Sequence, residues 1–287
     1  MSRTLKDLMD ESFARHAGRT AVRVLKGQGS ELSYQPVSYA ELQVQRDCLA
    51  AGLAGLGLHK GQRLGLLTEG GLESVLIFLA ADLLGLCAVP LCDKLAPELL
   101  IHTIHHSGIA LLFTDARGEE VMGRIDSFIR SPLRRVGIAG AEWEGLLRES
   151  PPPEVEVFPE DESKILYTSG ASGLPKGVVQ TNANIVANVE EVWDLISRRE
   201  PFRLFKSAPD YHSMGILNIY YPLAKGWVLD LARSPDRVLS DIRYSEPEGF
   251  LTVPLVLDKV FGNVRREIQA GGLKGRLIQR AVRARQR

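Results

Sequence analysis

The chain has 287 residues, of which 45% are hydrophobic and 24% charged, and its 35 Lys plus Arg are matched by 35 Asp plus Glu. That length builds one large domain or two ordinary ones without metal or disulfide support, and the composition excludes global disorder and fibrous repeats. With no net charge there is no global field to draw nucleic acid or an anionic membrane, so no nucleic-acid partner is expected and any such contact needs a local patch.

Tyr39, Leu42, Leu49, Leu53 and Leu56 recur at helical spacing, and Gly57 stops the run. Arg63–Leu67 reads as a strand. The stretch from Val75 to Cys92 is apolar except for Asp82 and is long enough to raise a membrane span. Gly85 and Pro90 instead divide it into a helix over about 72–84 and a buried strand over about 87–91. A helix over 97–106 and a strand over 109–114 complete an alternation that predicts an α/β fold, with largely parallel, helix-covered sheets in several layers. Pro151–Ser163, rich in proline and acid, reads as a linker between a first lobe over 1–150 and a second over 164–287. The second lobe opens with a strand over 165–168, a small-residue loop and a strand over 178–180. A helix over about 182–198, capped by Thr181 or Asn182, follows. A strand over 227–231, a helix over 235–244, a strand over 249–253 and a basic helical tail close the chain. The odd, sparse set Cys48, Cys87 and Cys92 argues against a secreted disulfide framework. With no apolar signal region in MSRTLKDLMDES, a cytoplasmic location is expected.

The loop Thr168–Gly177 reads TSGASGLPKG. Its glycines let backbone N–H groups converge, the hydroxyls of Thr168, Ser169 and Ser172 add donors, and Lys176 adds a mobile positive charge, a set suited to polyphosphate. A plain surface turn draws on the same residue types. Neither standard nucleotide loop fits. The Walker A spacing fails at Pro175, no Ser or Thr follows Lys176, and Lys60 stands where a dinucleotide fingerprint needs a third glycine after Gly55 and Gly57.

The segment ILYTSGASGLPKGVVQTNANIVANV resembles, nearly residue for residue, the phosphate-binding signature of the adenylate-forming (AMP-binding) superfamily. That superfamily includes acyl-CoA synthetases, luciferases and nonribosomal-peptide adenylation domains. The segments VSYAELQVQRDCLAAGLAGLGLHKGQRLGLL, LLGLCAVPL and HSGIALLFTD are similar to its first lobe in order and spacing. The tail VPLVLDKVFGNVRREIQAGGLKGRLIQRAV looks most like the long-chain fatty acid–CoA ligases.

The resemblance implies ATP, Mg2+ and CoA as cofactors and a carboxylic, fatty-type acid as the other substrate. The acid attacks the α-phosphorus to give acyl-AMP and pyrophosphate, and a thiol then takes the acyl group. It also implies that Thr168, Ser169, Gly170, Ala171, Ser172, Gly173, Lys176 and Gly177 hold the nucleotide. Ala171 departs from the family's Ser or Thr and removes one hydroxyl donor. Lys176 and His212 are the expected catalytic residues, with His212 and Gly215, in DYHSMGI, lining the acyl pocket. No resident metal site is expected.

Family members continue for about as much chain again, with the adenine segment, the magnesium-binding glutamate, the ribose-binding aspartate and the lid. None of these is found in the 287 residues, so the resemblance predicts weak or no adenylation by this polypeptide alone. Two other readings stay open. One is a remnant that binds nucleotide without turnover. The other is an interaction module that pairs with a separately encoded second half, with a second copy of itself, or with a membrane through its tail.

Three further patterns carry less. Tyr211–Gly215 misses the hydrolase elbow G-x-S-x-G by one residue, and no histidine follows Ser213 to serve as its base. Cys87, Cys92, His102, His105 and His106 lack the paired spacing of zinc modules. The tail 258–287 carries nine Lys or Arg against two acids with interleaved aliphatics. It is amphipathic and reads as a solvated face, with a membrane surface as the alternative.

Overall fold

The computed structural model describes residues 3–27, 31–129, 133–169, 173–196 and 202–251, with Asp258, Phe261, Gly262, Arg265, Arg266, Ile268 and Gln269. The chain divides into two compact units, Met1–Phe250 and Leu251–Arg287. In the second, the described residues beyond Leu251 are helical, and most of the basic tail, like the expected strand end at 252–253, lies outside the described residues.

Three N-terminal elements escape the pattern reading, a helix and the two strands of a hairpin. Helix α1 (Leu5–His16) starts at Thr4, whose hydroxyl accepts from the Asp7 N–H while the Asp7 carboxylate accepts from the Thr4 N–H, a reciprocal cap. Strands β1 (Thr20–Lys26) and β2 (Ser33–Ser38) pair antiparallel. Helix α2 (Tyr39–Gly55) then begins where its periodicity predicts, capped by Ser38 and Glu41 in the same reciprocal way.

The alternation that follows matches the predicted order: β3 (Arg63–Leu67), α3 (Leu72–Leu83), β4 (Cys87–Pro90), α4 (Pro97–Ser107) and β5 (Leu111–Thr114). Helix α5 (Ala116–Ile125), strand β6 (Arg134–Gly137) and helix α6 (Ala141–Leu146) come next. The proline-rich segment carries no helix or strand until β7 (Glu162–Thr168), which pairs antiparallel with β8 (Lys176–Thr181). Helix α7 (Asn182–Ile196) is capped by Thr181, whose hydroxyl accepts from the Asn184 N–H. Asn182 ties the helix to the N-terminus instead, accepting from the Leu5 N–H at 3.1 Å. Strand β9 (Arg203–Lys206), helix α8 (Ser213–Ala224), strand β10 (Val228–Leu231), helix α9 (Val238–Ser245) and strand β11 (Gly249–Leu251) complete the order.

The strands form two sheets, β11-β9-β10-β1-β2 and β6-β5-β3-β4-β7-β8. All pairings in the second are parallel except β7 with β8, and in the first β1, β10 and β9 run parallel. This is the expected helix-covered α/β architecture. Each sheet, however, takes strands from both sides of 151–163. The described strands before that segment and those after it are therefore shared between the two sheets rather than forming one sheet each.

Helix α3 is buried on every side from Ser74 to Leu83, as is nearly all of α8. The first packs on β4 and the second on β9 and β10, so these two helices fill the layer between the sheets. Asp82, the single charge in the apolar run, sits here because Lys164 of β7 reaches it. The two charges are 2.6 Å apart, with side chains 2% and 0% exposed. Ser163 and the Tyr220 hydroxyl of α8 also donate to Asp82, which locks α3, β7 and α8 together. A fully paired, hydrogen-bonded set of this kind is what makes buried charge tolerable. Among the described residues no helix is long and apolar enough to cross a membrane.

Candidate nucleotide and acid site

Ligands of open α/β sheets sit beyond the carboxyl ends of the strands, because the loops that follow can converge there. Strands β4 and β7 are parallel neighbours, with Ala88 paired to Lys164, so their carboxyl ends open on the same side. A cavity of about 230 Å³ lies there. Pro90 at the end of β4 and Leu91 and Cys92 just after it close one side, Leu95, Leu99 and Thr103 close another from α4 and the turn before it, and Tyr167 and Thr168 close it from β7. Ser169, Gly173 and Pro175 of the loop, with Tyr211 and His212 ahead of α8, complete its wall.

The β7–β8 register places Thr168 directly opposite Lys176 at the mouth of the loop. Both are exposed, as is Ser169, and Lys176 makes no ion pair with a described residue. Gly173 holds φ +85°, a left-handed conformation that glycine adopts without strain and that turns the loop back toward β8. Gly177 has another role. It pairs with Tyr167, and a side chain there would stand 3.2 Å from the Tyr167 ring and 2.9 Å from Ile165, so its bareness makes room for the tyrosine that walls the cavity. Gly170, Ala171 and Ser172 lie outside the described residues.

His212 reaches the cavity from the other sheet. The turn after β9 is pinned by the ion pair of Lys206 with Asp210, 2.6 Å apart and both buried. The His212 N–H then donates to the Pro209 carbonyl at 3.1 Å. His212 itself is extended at the N-cap of α8, edge-on to the Tyr211 ring at 4.6 Å. Partial burial lowers its pKa below the ordinary 6.5, which keeps the ring neutral near pH 7. Burial raises the Tyr211 hydroxyl, with Cys92 adding to the shift.

Gly215 does not reach the cavity wall. It is buried one turn into α8, where a side chain would stand 1.9 Å from the Pro209 carbonyl oxygen. Its contribution is the close approach of the helix to the turn that carries Tyr211 and His212. Ser213 is exposed in the first turn of α8. Cys87 is buried within β4, where burial pushes its thiol up to about 12. His102 and His106 lie ring to ring at 5.5 Å on α4, and His106 Nδ1 is 2.8 Å from the Tyr167 hydroxyl. Among the described residues no three His, Cys, Asp or Glu side chains gather as a metal site would require.

Pattern reading missed Cys92, Leu95, Leu99, Thr103, Tyr167 and Tyr211 as wall residues. The available signal was positional, since four of them follow the carboxyl end of β4 or lie on α4, beside the carboxyl end of β7.

Fold and site together describe an α/β domain with a glycine-containing loop between the antiparallel strands β7 and β8. The chain belongs to the AMP-binding enzyme family, whose model matches residues 9–282. It is 31% identical to an L-proline–[L-prolyl-carrier protein] ligase of Pseudomonas fluorescens over 262 residues, 88% of this chain and 51% of that protein. It is 26% identical to the peroxisomal long chain acyl-CoA synthetase 6 of Arabidopsis thaliana, over 92% of this chain and 40% of that protein. In fold it is similar to the O-succinylbenzoate CoA synthetase of Bacillus subtilis solved with ATP and magnesium ion, with TM-score 0.71 and 23% identity over 89% of this chain and 65% of that one. The chain thus spans about half the length, or less, of these two curated relatives.

Proposed function

We propose that the chain carries the phosphate- and acid-binding part of an enzyme that activates a carboxylic acid, of fatty type, with ATP. The carboxylate oxygen bonds to the α-phosphorus as pyrophosphate leaves, giving acyl-AMP. A thiol such as that of CoA then bonds to the acyl carbon as AMP leaves. The observation that carries this reading is the meeting, at one cavity, of the Thr168–Ser169 and Gly173–Pro175 arms of the loop with His212 from the opposite sheet.

Thr168, Ser169 and Lys176 suit the β- and γ-phosphates, where charge-assisted bonds from fixed donors stabilise the departing pyrophosphate. Tyr211 and His212 line the side from which the acid approaches, and the neutral imidazole can donate to or accept from its carboxyl group. Mg2+ would arrive with the triphosphate and neutralise part of its charge, since no described acidic cluster suits it. Positioning and electrostatics do the work expected of this half of the site.

Phosphorus NMR of Mg-ATP with the 287-residue chain tests this. Broadening of the β and γ resonances, with less at α and none in Lys176→Ala, is expected. Unchanged spectra at millimolar ATP would overturn the reading. Acid-dependent ATP–pyrophosphate exchange by the chain alone is expected to be weak, because one lost charge-stabilising group already costs about 10²–10³ in rate.

A further inference from the structure

An edge strand offers unpaired N–H and C=O groups to any strand that comes near, and folded chains usually blunt such edges with charge or proline. Two described edges of this molecule are blunted in that way. Strand β6, at one edge of the six-stranded sheet, carries Arg134 and Arg135, and β2, at one edge of the other sheet, carries Pro36 within it. Strand β8 is different. Among the described strands it pairs with β7 alone, and its sequence KGVVQT holds no proline and no charge after Lys176.

Successive residues of a strand face opposite sides of the sheet. Val178 and Val179 are 48% and 44% exposed, while Leu166 and Ile165, their neighbours across the ladder on β7, are 5% and 4% exposed. The apolar layers on both sides of the sheet therefore run past β7 and end uncovered at β8. A strand added to this edge covers both valines and the free backbone groups together.

We propose that the added strand is β8 of a second copy of this chain, antiparallel across a two-fold axis at Val178. An axis there sets Val178 against itself, Gly177 against Val179 and Lys176 against Gln180. The strand complements itself in this register. Its apolar centre meets an apolar centre, and its one charge meets an amide oxygen that can accept from it, not a like charge. The chain also bounds the register. Pro175 has no N–H to extend the ladder at one end, and α7 begins at Asn182 at the other. The contact is isologous and joins two six-stranded sheets into one. It does not rest on the acid-activating reading, because it uses neither ATP nor the acid.

The test is sedimentation of the full chain, without ligands, over a wide range of concentration. Doubled mass at high concentration, falling to single mass on dilution, is expected. Val178→Lys and Val178→Glu each put like charges face to face at the axis and should each weaken the association about tenfold or more. Mixed in equal amounts, the two variants should recover it, because unlike charges then meet. Thermal unfolding reports that each variant folds. Amide hydrogen exchange of the native chain gives a second readout that needs no variant: protection of β8, and not of β2 or β6, should rise with concentration.

A native chain of single mass throughout, or variants that associate as the native chain does, would overturn the assignment. So would a mixture of the two variants that stays at single mass, or β8 exchange indifferent to concentration.

Discussion

Lys164 and Lys176 sit on the two strands of one hairpin and do opposite things. Lys164 has no exposed side-chain surface and lies 2.6 Å from Asp82, with Ser163 and Tyr220 completing the network. Lys176, opposite Thr168 at the far end of the same ladder, is exposed and makes no ion pair with a described residue. Burial separates the two roles. A charge inside the layer between the sheets must be matched on the spot by protein, whereas a charge at the loop mouth can keep its water until an anion replaces it. One end of the hairpin ties β7 to α3 and α8, and the other is exposed, where the proposed function puts a ligand.

The largest effect that tests this contrast is on stability. Lys164→Ala strands the Asp82 carboxylate in an apolar layer and is expected to cost about 3–5 kcal/mol in urea unfolding. Lys176→Ala should stay within about 0.5 kcal/mol of the native chain. Lys164→Met combined with Asp82→Leu should recover part of the loss, because a hydrophobic pair replaces an ion pair at little net cost while the Ser163 and Tyr220 hydroxyls lose their acceptor. Equal losses for the Lys164 and Lys176 single variants would erase the distinction.

A smaller effect probes the turn that brings His212 to the loop. Gly215→Ala pushes a methyl group into the Pro209 carbonyl and should cost about 1–3 kcal/mol. It should also shift the amide resonances of 209–212 while leaving those of β7 and β8 in place. Gly177→Ala should do the reverse, perturbing Tyr167 and not the turn.

The smallest effect is in titration. The His212 C2–H resonance should have its midpoint below 6.5, the ordinary value. Because the unfolded chain takes up this proton first as pH falls, the group's contribution is fully present above the unfolded value. It is lost as pH drops through that value toward the folded one. A midpoint above 6.5 would mean that a carboxylate, not burial, governs this ring.

Much of the fold was legible because its signals are local. The 3.6-residue rhythm from Tyr39 onward, the Gly85 and Pro90 breaks and the short apolar runs of β3, β4 and β5 each mark an element without reference to the rest. Thr168–Gly177 was legible as a connection between two strands because its glycines and proline read directly from order.

Long-range partners were not legible. Nothing near Asp82 in sequence announces Lys164, 82 residues on, and nothing near β1 announces β10, its parallel partner. The linker was read from its proline and acid, but composition cannot show that strands on its two sides share a sheet. Gly215 and Gly177 were seen as motif positions. That each is bare to admit a neighbour, Pro209 in one case and Tyr167 in the other, depends on distances the order does not contain.

The most direct test of the contrast between the two lysines is the ATP affinity of Lys176→Ala set beside that of the Lys164→Met, Asp82→Leu double variant, both measured by calorimetry on the full chain. The ligand-facing role of Lys176 predicts a loss of about tenfold or more for the first, from one charge-assisted phosphate contact of about 1.5–3 kcal/mol, and near-native affinity for the second. Native affinity in Lys176→Ala, or a loss confined to the double variant, would contradict it.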